Sequence, residues 1–553
     1  MKRHTGLNIK ELRFMEIYEH SLPFSLPLAR LYQEEFEKVA HLYDYDPYQE
    51  ESYRIRLHRL KDSPHVNRLR MVEALADYNK RVGNEEILRQ LERLSDPQAV
   101  VVVGGQQPGV LTGPLYTVYK VLTILAVAKR EEKRLNVPVI PLFWIAGEDH
   151  DWDEVNHVYV PNGEGMEKIR IPHPGKERSS ISHIPLPSDG LHTFLDSFFS
   201  YHPLTAHTEE LKGKLYPLAE ESRTLSEFFA RLLVTLFPGE GLLLLDSADP
   251  AFRALEGEMV EKFLSSPDTL SFLLERGKEK VRGLGIAPQI ESERDSAHLF
   301  LYENGIRLLL EQDGVNFISK RVKRGWTREE LLTLAKKNPE RFSCNVVTRP
   351  LMQEYLLPVL AFVGGPGEIS YWGLLREIFH AYHFTMPPII PRMAATLVER
   401  PVQKLYTRYG LRFHDLFLGA EEALADWLAR QDDLGLNGRL EGVKEEMRRL
   451  YQPILGQLAG IDEGLARYGE KNLAILLTQV EGLQRRIERF FLTRDREGYR
   501  QFIQAKNLLN PNGHPQERVF NLFTYLNRYG WEWWRLFRRL PLMPNGYHKE
   551  IRL

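Results

Sequence analysis

Residues 99–121, AVVVVGGQQPGVLTGPLYTVYKV, decide the fold. Four β-branched residues in a row after Ala99, with no polar residue among them, suit a strand covered on both faces. Gly104 and Gly105 close the strand, and the loop GGQQPGVLTGP leads into an uninterrupted helical stretch from Leu115 to Leu135 that ends in KREEKRL. The next apolar run, VPVIPLFWI, breaks at AGEDHD (residues 146–151). Strand, glycine-rich loop, helix and strand in about 50 residues make a βαβ unit, and such units build a parallel sheet.

Working outward, GLLLLDSADP (241–250) and VLAFVGGPGEISYW (359–372) read as further strands of that sheet, each broken by turn residues. Between them, residues 298–320 carry Asn304-Gly305 and Asp313-Gly314, hairpin signals that mark an antiparallel insertion. Residues 161–190, rich in Pro, Gly and Ser, read as a second insertion, and residues 28–94 as a helical lead-in. Beyond Arg400 the strands are expected to stop. Leu440, Val443, Met447, Leu450 and Ile454, then Leu473, Leu476, Val480, Leu483, Ile487 and Phe490, recur at steps of three and four, as in a coiled-coil arm. Leu458, Ile461, Leu465 and Tyr468 continue the spacing after a skip near Pro453, read as a stutter in one continuous arm. An ordinary amphipathic bundle is the alternative. The expected organisation is a Rossmann-like α/β parallel-sheet core with insertions plus a helical domain. It runs as a lead-in (1–95), core (96–160), insertion (161–235), core (236–297), β insertion (298–342), core (343–400), coiled-coil domain (401–505) and a C-terminal segment packing back on the core (506–553).

The 553 residues carry 73 Lys+Arg against 75 Asp+Glu, so bulk charge excludes a polyanion binder and leaves recognition to local clamps. Cys344 is the single cysteine, which excludes an internal disulfide and fits a reducing cytoplasm. The first twenty residues lack the apolar core of a secretory signal, and no apolar run approaches the roughly 20 residues that span a bilayer. A soluble cytoplasmic protein without nucleic-acid or membrane partners is expected.

Three constellations could carry chemistry. The first is the loop with Gly104, Gly105, Gln106, Gln107, Thr112 and Gly113, followed by Tyr116 and Lys120 on the helix. A strand-to-helix handover offers backbone amides and a helix dipole to an anion, although the pattern is neither the dinucleotide fingerprint nor the P-loop. The second is GEDHDWDE, with Glu148, Asp149, His150, Asp151, Asp153 and Glu154, and His157 after it. A histidine flanked by carboxylates serves as a general base, the same groups could hold a divalent metal, and acids at a helix amino terminus are favourable in themselves. The third comprises Asn345, Arg349 and Gln353 before the strand and Gly364, Gly365, Glu368, Tyr371 and Trp372 after it, with Arg392 as a second clamp. Arginine grips carboxylate or phosphate through two parallel hydrogen bonds, and is as often a structural ion pair. Cys344 reads as a small buried hydrophobe.

GGQQPGVLTGPLYTVYK, FWIAGEDHDWDEVNHV, RPLMQEYLLPVLAFVGGPGEISYW and PNGHPQERVFNLFTYLNRYG together resemble the cysteine-adding ligase family of bacillithiol biosynthesis, nearly end to end. The resemblance implies a Rossmann-like core with connecting-peptide insertions, a coiled-coil domain that makes a homodimer, and amide formation between the cysteine carboxyl and the amine of glucosaminyl-malate. Asp149, His150 and Asp151 are then the expected catalytic group, ATP or another nucleotide the expected activator, and no metal is firmly indicated. Two rivals stay open at this point, a metal-dependent hydrolase of a small substrate and a nucleotide-sensing coiled-coil scaffold.

Overall fold

A computed structural model of the chain describes residues 15–163, 165–175, 179–291, 295–419, 422–424, 426–427, 435–494 and 496–553. The first fourteen residues, on which much of the leader reading falls, lie outside the described residues. The central sheet consists of β1 (Val100–Gln106), β2 (Val139–Ile145), β3 (Leu243–Asp246), β4 (Val359–Gly364) and β5 (Ile389–Pro391). Its spatial order is β3-β2-β1-β4-β5, with every neighbouring pair parallel. All seven residues of β2 and all six of β4 are buried, so their unbroken apolar runs follow from cover on both faces. Helix α1 (Leu115–Leu135) crosses from β1 to β2 and closes on Asn136 in the left-handed region. The chain builds outward from β1 to β3 and then returns to place β4 on the other side of β1. The order therefore reverses between β1 and β4, and in open α/β sheets ligands bind in the crevice outside the strand carboxyl ends at such a point.

The expected antiparallel insertion is a five-stranded sheet. It runs Arg324–Trp326, Asn316–Ser319, Ile306–Asp313, Ser296–Glu303 and Phe342–Cys344. Asn304 (φ 51°) and Gly305 (φ 80°) both sit in the left-handed region, as the tight two-residue hairpin turn requires. The other insertion starts with the hairpin His157–Asn162 and Gly165–Arg170 and continues into helices.

Two expectations are corrected. Strands do not stop at Arg400: His548–Arg552 pairs antiparallel with Glu16–His20 and parallel with Ala395–Val398. Its sequence, HKEIR, has no apolar alternation because its charges are paired locally, Glu550 with His20 (2.8 Å) and Arg552 (2.7 Å), and Lys549 with Glu19. Nor does the arm run on through a stutter. Helix α3 (Leu436–Ile461) ends at Asp462, whose extended backbone (φ −161°, ψ 133°) turns the chain into helix α4 (Glu463–Arg494). The Asp462 carboxylate accepts from the Leu465 amide at 3.0 Å, an N-cap. The two helices lie antiparallel, pinned by Tyr451 to Asn472 (2.7 Å) and Gln484 to Glu441 (2.9 Å). A Cβ on Gly469 would come 2.6 Å from Leu455 Cδ2, so this glycine permits close helix contact. A second apolar core at the arm's base joins Val402, Phe413 and Leu416 to Phe502 and Leu509.

Candidate functional site

The carboxyl ends of β1, β2 and β4 open into a cavity of about 510 Å³, a size suited to a small-molecule ligand. It lies at the switch point between β1 and β4. Of the expected residues, Gly105, Gln106, Gln107, Tyr116, Lys120, Asp149, His150, Asn345, Arg349, Gly365, Glu368, Tyr371, Trp372 and Arg392 line it. Gly104, Thr112, Gly113, Gly364 and Asp151 do not.

The glycines that close β1 have a packing reason of their own. A Cβ on Gly104 would sit 2.8 Å from the Val363 carbonyl, and one on Gly105 2.6 Å from that of Trp144, so these glycines serve strand packing. The α1 amino terminus is also occupied, since the Leu115 amide bonds to the Phe520 carbonyl (2.9 Å) and the Thr117 amide to that of Pro114 (3.0 Å). Leu111 (φ 49°), Thr112 (φ 66°) and Gly113 (φ 67°) take three successive positive-φ conformations, which cost a non-glycine residue about 1–2 kcal/mol each. Buried Asn521 holds that bend by donating to the carbonyls of Leu111 (2.6 Å) and Gly113 (2.7 Å). What α1 gives the crevice is its side, Tyr116 and Lys120 one turn apart. Lys120, 1% exposed, reaches Glu368 at 2.6 Å and Gln106 Oε1 at 3.1 Å. Burial lowers its pKa while Glu368 opposes that shift.

The loop after β2 is braced from the first insertion. The Ser180 hydroxyl donates to the Glu148 carbonyl (2.9 Å), the Ile181 amide to that of Asp149 (2.8 Å) and the Ser182 amide to that of Gly147 (3.1 Å). A Cβ on Gly147 would lie 1.9 Å from Ser182 Oγ and 2.4 Å from Asp246 Oδ1, so any larger residue would displace these side chains. Asp149 accepts from Gln107 Nε2 (2.7 Å) and the His150 amide (2.7 Å). Burial raises the Asp149 pKa, but Gln107, Arg307 and the His150 amide outweigh it and hold the carboxyl below its ordinary value. Asp151 is exposed, outside the cavity, at the residue before the short helix Trp152–Val155, and its side chain makes no capping hydrogen bond.

Arg307, absent from the sequence expectation, changes the reading of His150. It lies in the antiparallel insertion, 3.7 Å over the Phe300 ring, and donates to Ser343 Oγ (2.9 Å), the Cys344 carbonyl (2.8 Å) and His150 Nδ1 (3.2 Å). A guanidinium on Nδ1 takes that lone pair and leaves the neutral imidazole's proton on Nε2. His150 is thus arranged as a donor. In the alternation of its strand Arg307 falls on the face of exposed Leu309, opposite buried Leu308 and Leu310, so the pattern carries no signal for it.

In the third constellation, Asn345 spends its side chain on the Val347 amide (2.8 Å) and on His298 Nδ1 (3.1 Å). Trp372 is core, stacked on Phe362 at 4.4 Å. Arg392 is consumed by buried Glu517 (2.7 Å) and the Met393 carbonyl (2.9 Å) and covers the Tyr116 ring at 5.3 Å. Arg349 begins helix α2 (residues 349–356, between α1 and α3) and meets the Tyr371 hydroxyl at 3.4 Å. Burial works against the Arg349 charge, but Tyr371 and Glu148 outweigh it and raise its pKa. Burial pushes the Cys344 thiol well up, away from the reactive thiolate. Glu148, Gln353 and Arg518 complete the polar lining, the last from the C-terminal segment. Among the described residues no three His, Cys, Asp or Glu side chains converge as a metal site.

Comparison with known proteins gives two adjoining family matches. Residues 15–393 match the N-terminal Rossmann-like domain of bacillithiol biosynthesis BshC, and residues 395–553 its C-terminal coiled-coil domain. The chain is 38% identical over 541 residues to "Putative cysteine ligase BshC" of Geobacillus kaustophilus, covering 97% of this chain and all of that protein. Proteins of the same name from Geobacillus sp. (strain WCH70) and Bacillus licheniformis are 37% and 35% identical, over 97% and 98% of this chain and all of theirs.

Proposed function

The chain belongs to the BshC family of bacillithiol biosynthesis, and from that premise we propose that it is a ligase joining the carboxyl of cysteine to the amine of glucosaminyl-malate. The observation that carries the reading is the crevice itself. Its lining includes five cationic side chains (Lys120, Arg307, Arg349, Arg392, Arg518) against three carboxylates (Glu148, Asp149, Glu368), a surplus that suits an acidic sugar conjugate.

Amide formation in water needs an activated carboxyl. The amine nitrogen attacks the carboxyl carbon of an activated cysteine, the new C–N bond forms, the C–O bond to the activating group breaks, and the ammonium proton is released. Asp149, kept ionised by Gln107 and Arg307, is placed to accept from the ammonium and orient it. His150, its Nδ1 engaged by Arg307, offers Nε2–H to the oxygen on which negative charge develops. Positioning and electrostatics are the main contributions. A nucleotide such as ATP is the proposed activator, with the guanidinium of Arg349, which meets only the Tyr371 hydroxyl among the described side chains, as the support for binding its phosphates or the substrate carboxylates.

A homodimer through the arm is proposed on the exposed apolar residues of the hairpin. Val443, Leu450, Ile454 and Ile461 share one face of α3, and Tyr468, Ile475, Leu483 and Phe490 lie along α4, all 42–74% exposed. A cytoplasmic setting is proposed from the lone buried cysteine, and no helix among the described residues is long and apolar enough to cross a membrane. The reading is tested by incubating the protein with cysteine, glucosaminyl-malate and each nucleotide in turn and weighing the products. Bacillithiol formed only with a nucleotide supports it. Bacillithiol formed without one removes the activation step, and none under any condition rejects the ligase.

A further inference from the structure

Several cationic groups of the crevice are already spent on neighbouring side chains, and a few donors among the described residues remain. Lys120 is held by Glu368, Arg392 by Glu517, and Arg307 by Ser343, Cys344 and His150. Among the described residues Arg349 has no carboxylate partner and Arg518 no side-chain partner at all. Gln353, 4% exposed, lines the same cavity with its Nε2 buried and without a hydrogen-bond partner. Arg349 and Gln353 stand one helical turn apart on α2, so their side chains share a face. A buried amide N–H left unmade costs about 1–3 kcal/mol, which an acceptor oxygen on a ligand would recover.

Arg518 is not an ordinary surface arginine. The two residues before it are buried and locked to the strand Ala395–Val398. Gln516 bonds the Leu397 amide (2.8 Å) and carbonyl (2.9 Å), and Glu517 bonds the Ala395 amide (3.1 Å) as well as Arg392. The backbone of the turn Gln516–Arg518 is therefore fixed, and it presents Arg518, exposed, at the mouth of the cavity. The Tyr116 hydroxyl, whose pKa burial raises, is pulled back down by Arg392 and Arg518, which puts the Arg518 charge beside the α1 wall.

We infer that Arg349 with Gln353, and Arg518 at the mouth, are the specificity-determining residues for an acceptor that carries two carboxylates. One carboxylate is received on the α2 face by a guanidinium and an amide N–H, the other by Arg518. The inference rests on the ligase reading and adds to it which residues distinguish a dicarboxylate acceptor from a monocarboxylate one. Discrimination of this kind is strong because the analogue lacking a carboxylate leaves built donors unpaired.

The test is calorimetric titration of the full-length protein with glucosaminyl-malate and with glucosaminyl-lactate, which lacks one carboxylate. The wild type should bind the dicarboxylate roughly ten- to a hundredfold more tightly. Arg518→Gln, a change at an exposed side chain, should leave Tm unmoved and reduce that preference to within about threefold, and Arg518→Lys should restore part of it. Gln353→Leu should weaken both acceptors. A tenfold preference surviving in Arg518→Gln, or equal binding of both acceptors by the wild type, overturns the assignment. A ligation assay run alongside separates the two claims. Dicarboxylate preference that depends on Arg518 but yields no product with cysteine upholds the assignment and rejects the ligase. Product formed with undiminished preference in Arg518→Gln does the reverse.

Discussion

Asp149, His150 and Asp151 are consecutive in sequence and identical in promise, yet only two of them face the crevice. The turn after β2 sends Asp151 outward to a cap position, and a single sequence does not reveal how a turn distributes three neighbouring side chains. Arg307 was illegible for another reason: its bond to His150 spans 157 residues. Because that bond leaves His150 as a donor, His150→Gln, which keeps an N–H, should retain about a tenth of the ligation rate, whereas His150→Ala should lose about a hundredfold or more. Equal losses in kcat would restore a base role. Glu517→Ala should cost about 3–5 kcal/mol in urea unfolding, because it strands the buried Arg392 charge. His298 gives a pH signature. Burial, and then Lys278, hold its pKa at about 4 against 6.5 for the unfolded chain. The unfolded chain takes up the proton first, so this contribution is complete above pH 6.5 and lost as pH falls through about 4. The Tm of the wild type relative to His298→Gln should therefore fall as pH drops from 6.5 to 4.

Periodicity made the arm helices legible but not their reversal, since steps of three and four look alike whether a helix runs on or folds back. The clue was Asp462, a good N-cap residue in the middle of the repeat. The hairpin reassigns individual positions. Val480 and Ile487 are half-buried, while Leu450 and Leu483 are 60% and 51% exposed. Leu450→Asp with Leu483→Asp should thus give monomers by light scattering with helicity intact, and Val480→Asp should instead reduce helicity by circular dichroism. A dimer that survives the double change places the interface elsewhere. The loop before α1 depends on its brace in the same way. Asn521→Ala, removing two buried hydrogen bonds to the loop and the cap on the Phe523 amide, should cost about 1–3 kcal/mol.

Across the whole molecule, the βαβ unit, the parallel sheet and the glycine-closed strand ends were readable because buried parallel strands leave unbroken apolar runs. The strand order was not, because nothing local says on which side of β1 the chain returns. That order puts the β1 and β4 ends together and so makes the crevice. The C-terminal segment escaped a full reading too, since its strand is polar and its contributions, Glu517, Arg518 and Asn521, act on residues more than a hundred positions away. The central claim is that this switch-point crevice carries out ligation of cysteine to an acidic amino sugar, and its most direct test is single-turnover formation of bacillithiol from cysteine, glucosaminyl-malate and ATP by the wild type and by Arg349→Gln. Product is expected from the wild type, and a rate at least about a hundredfold lower from the variant at equal folded fraction. Equal rates from the two, or no product from the wild type, would contradict that claim.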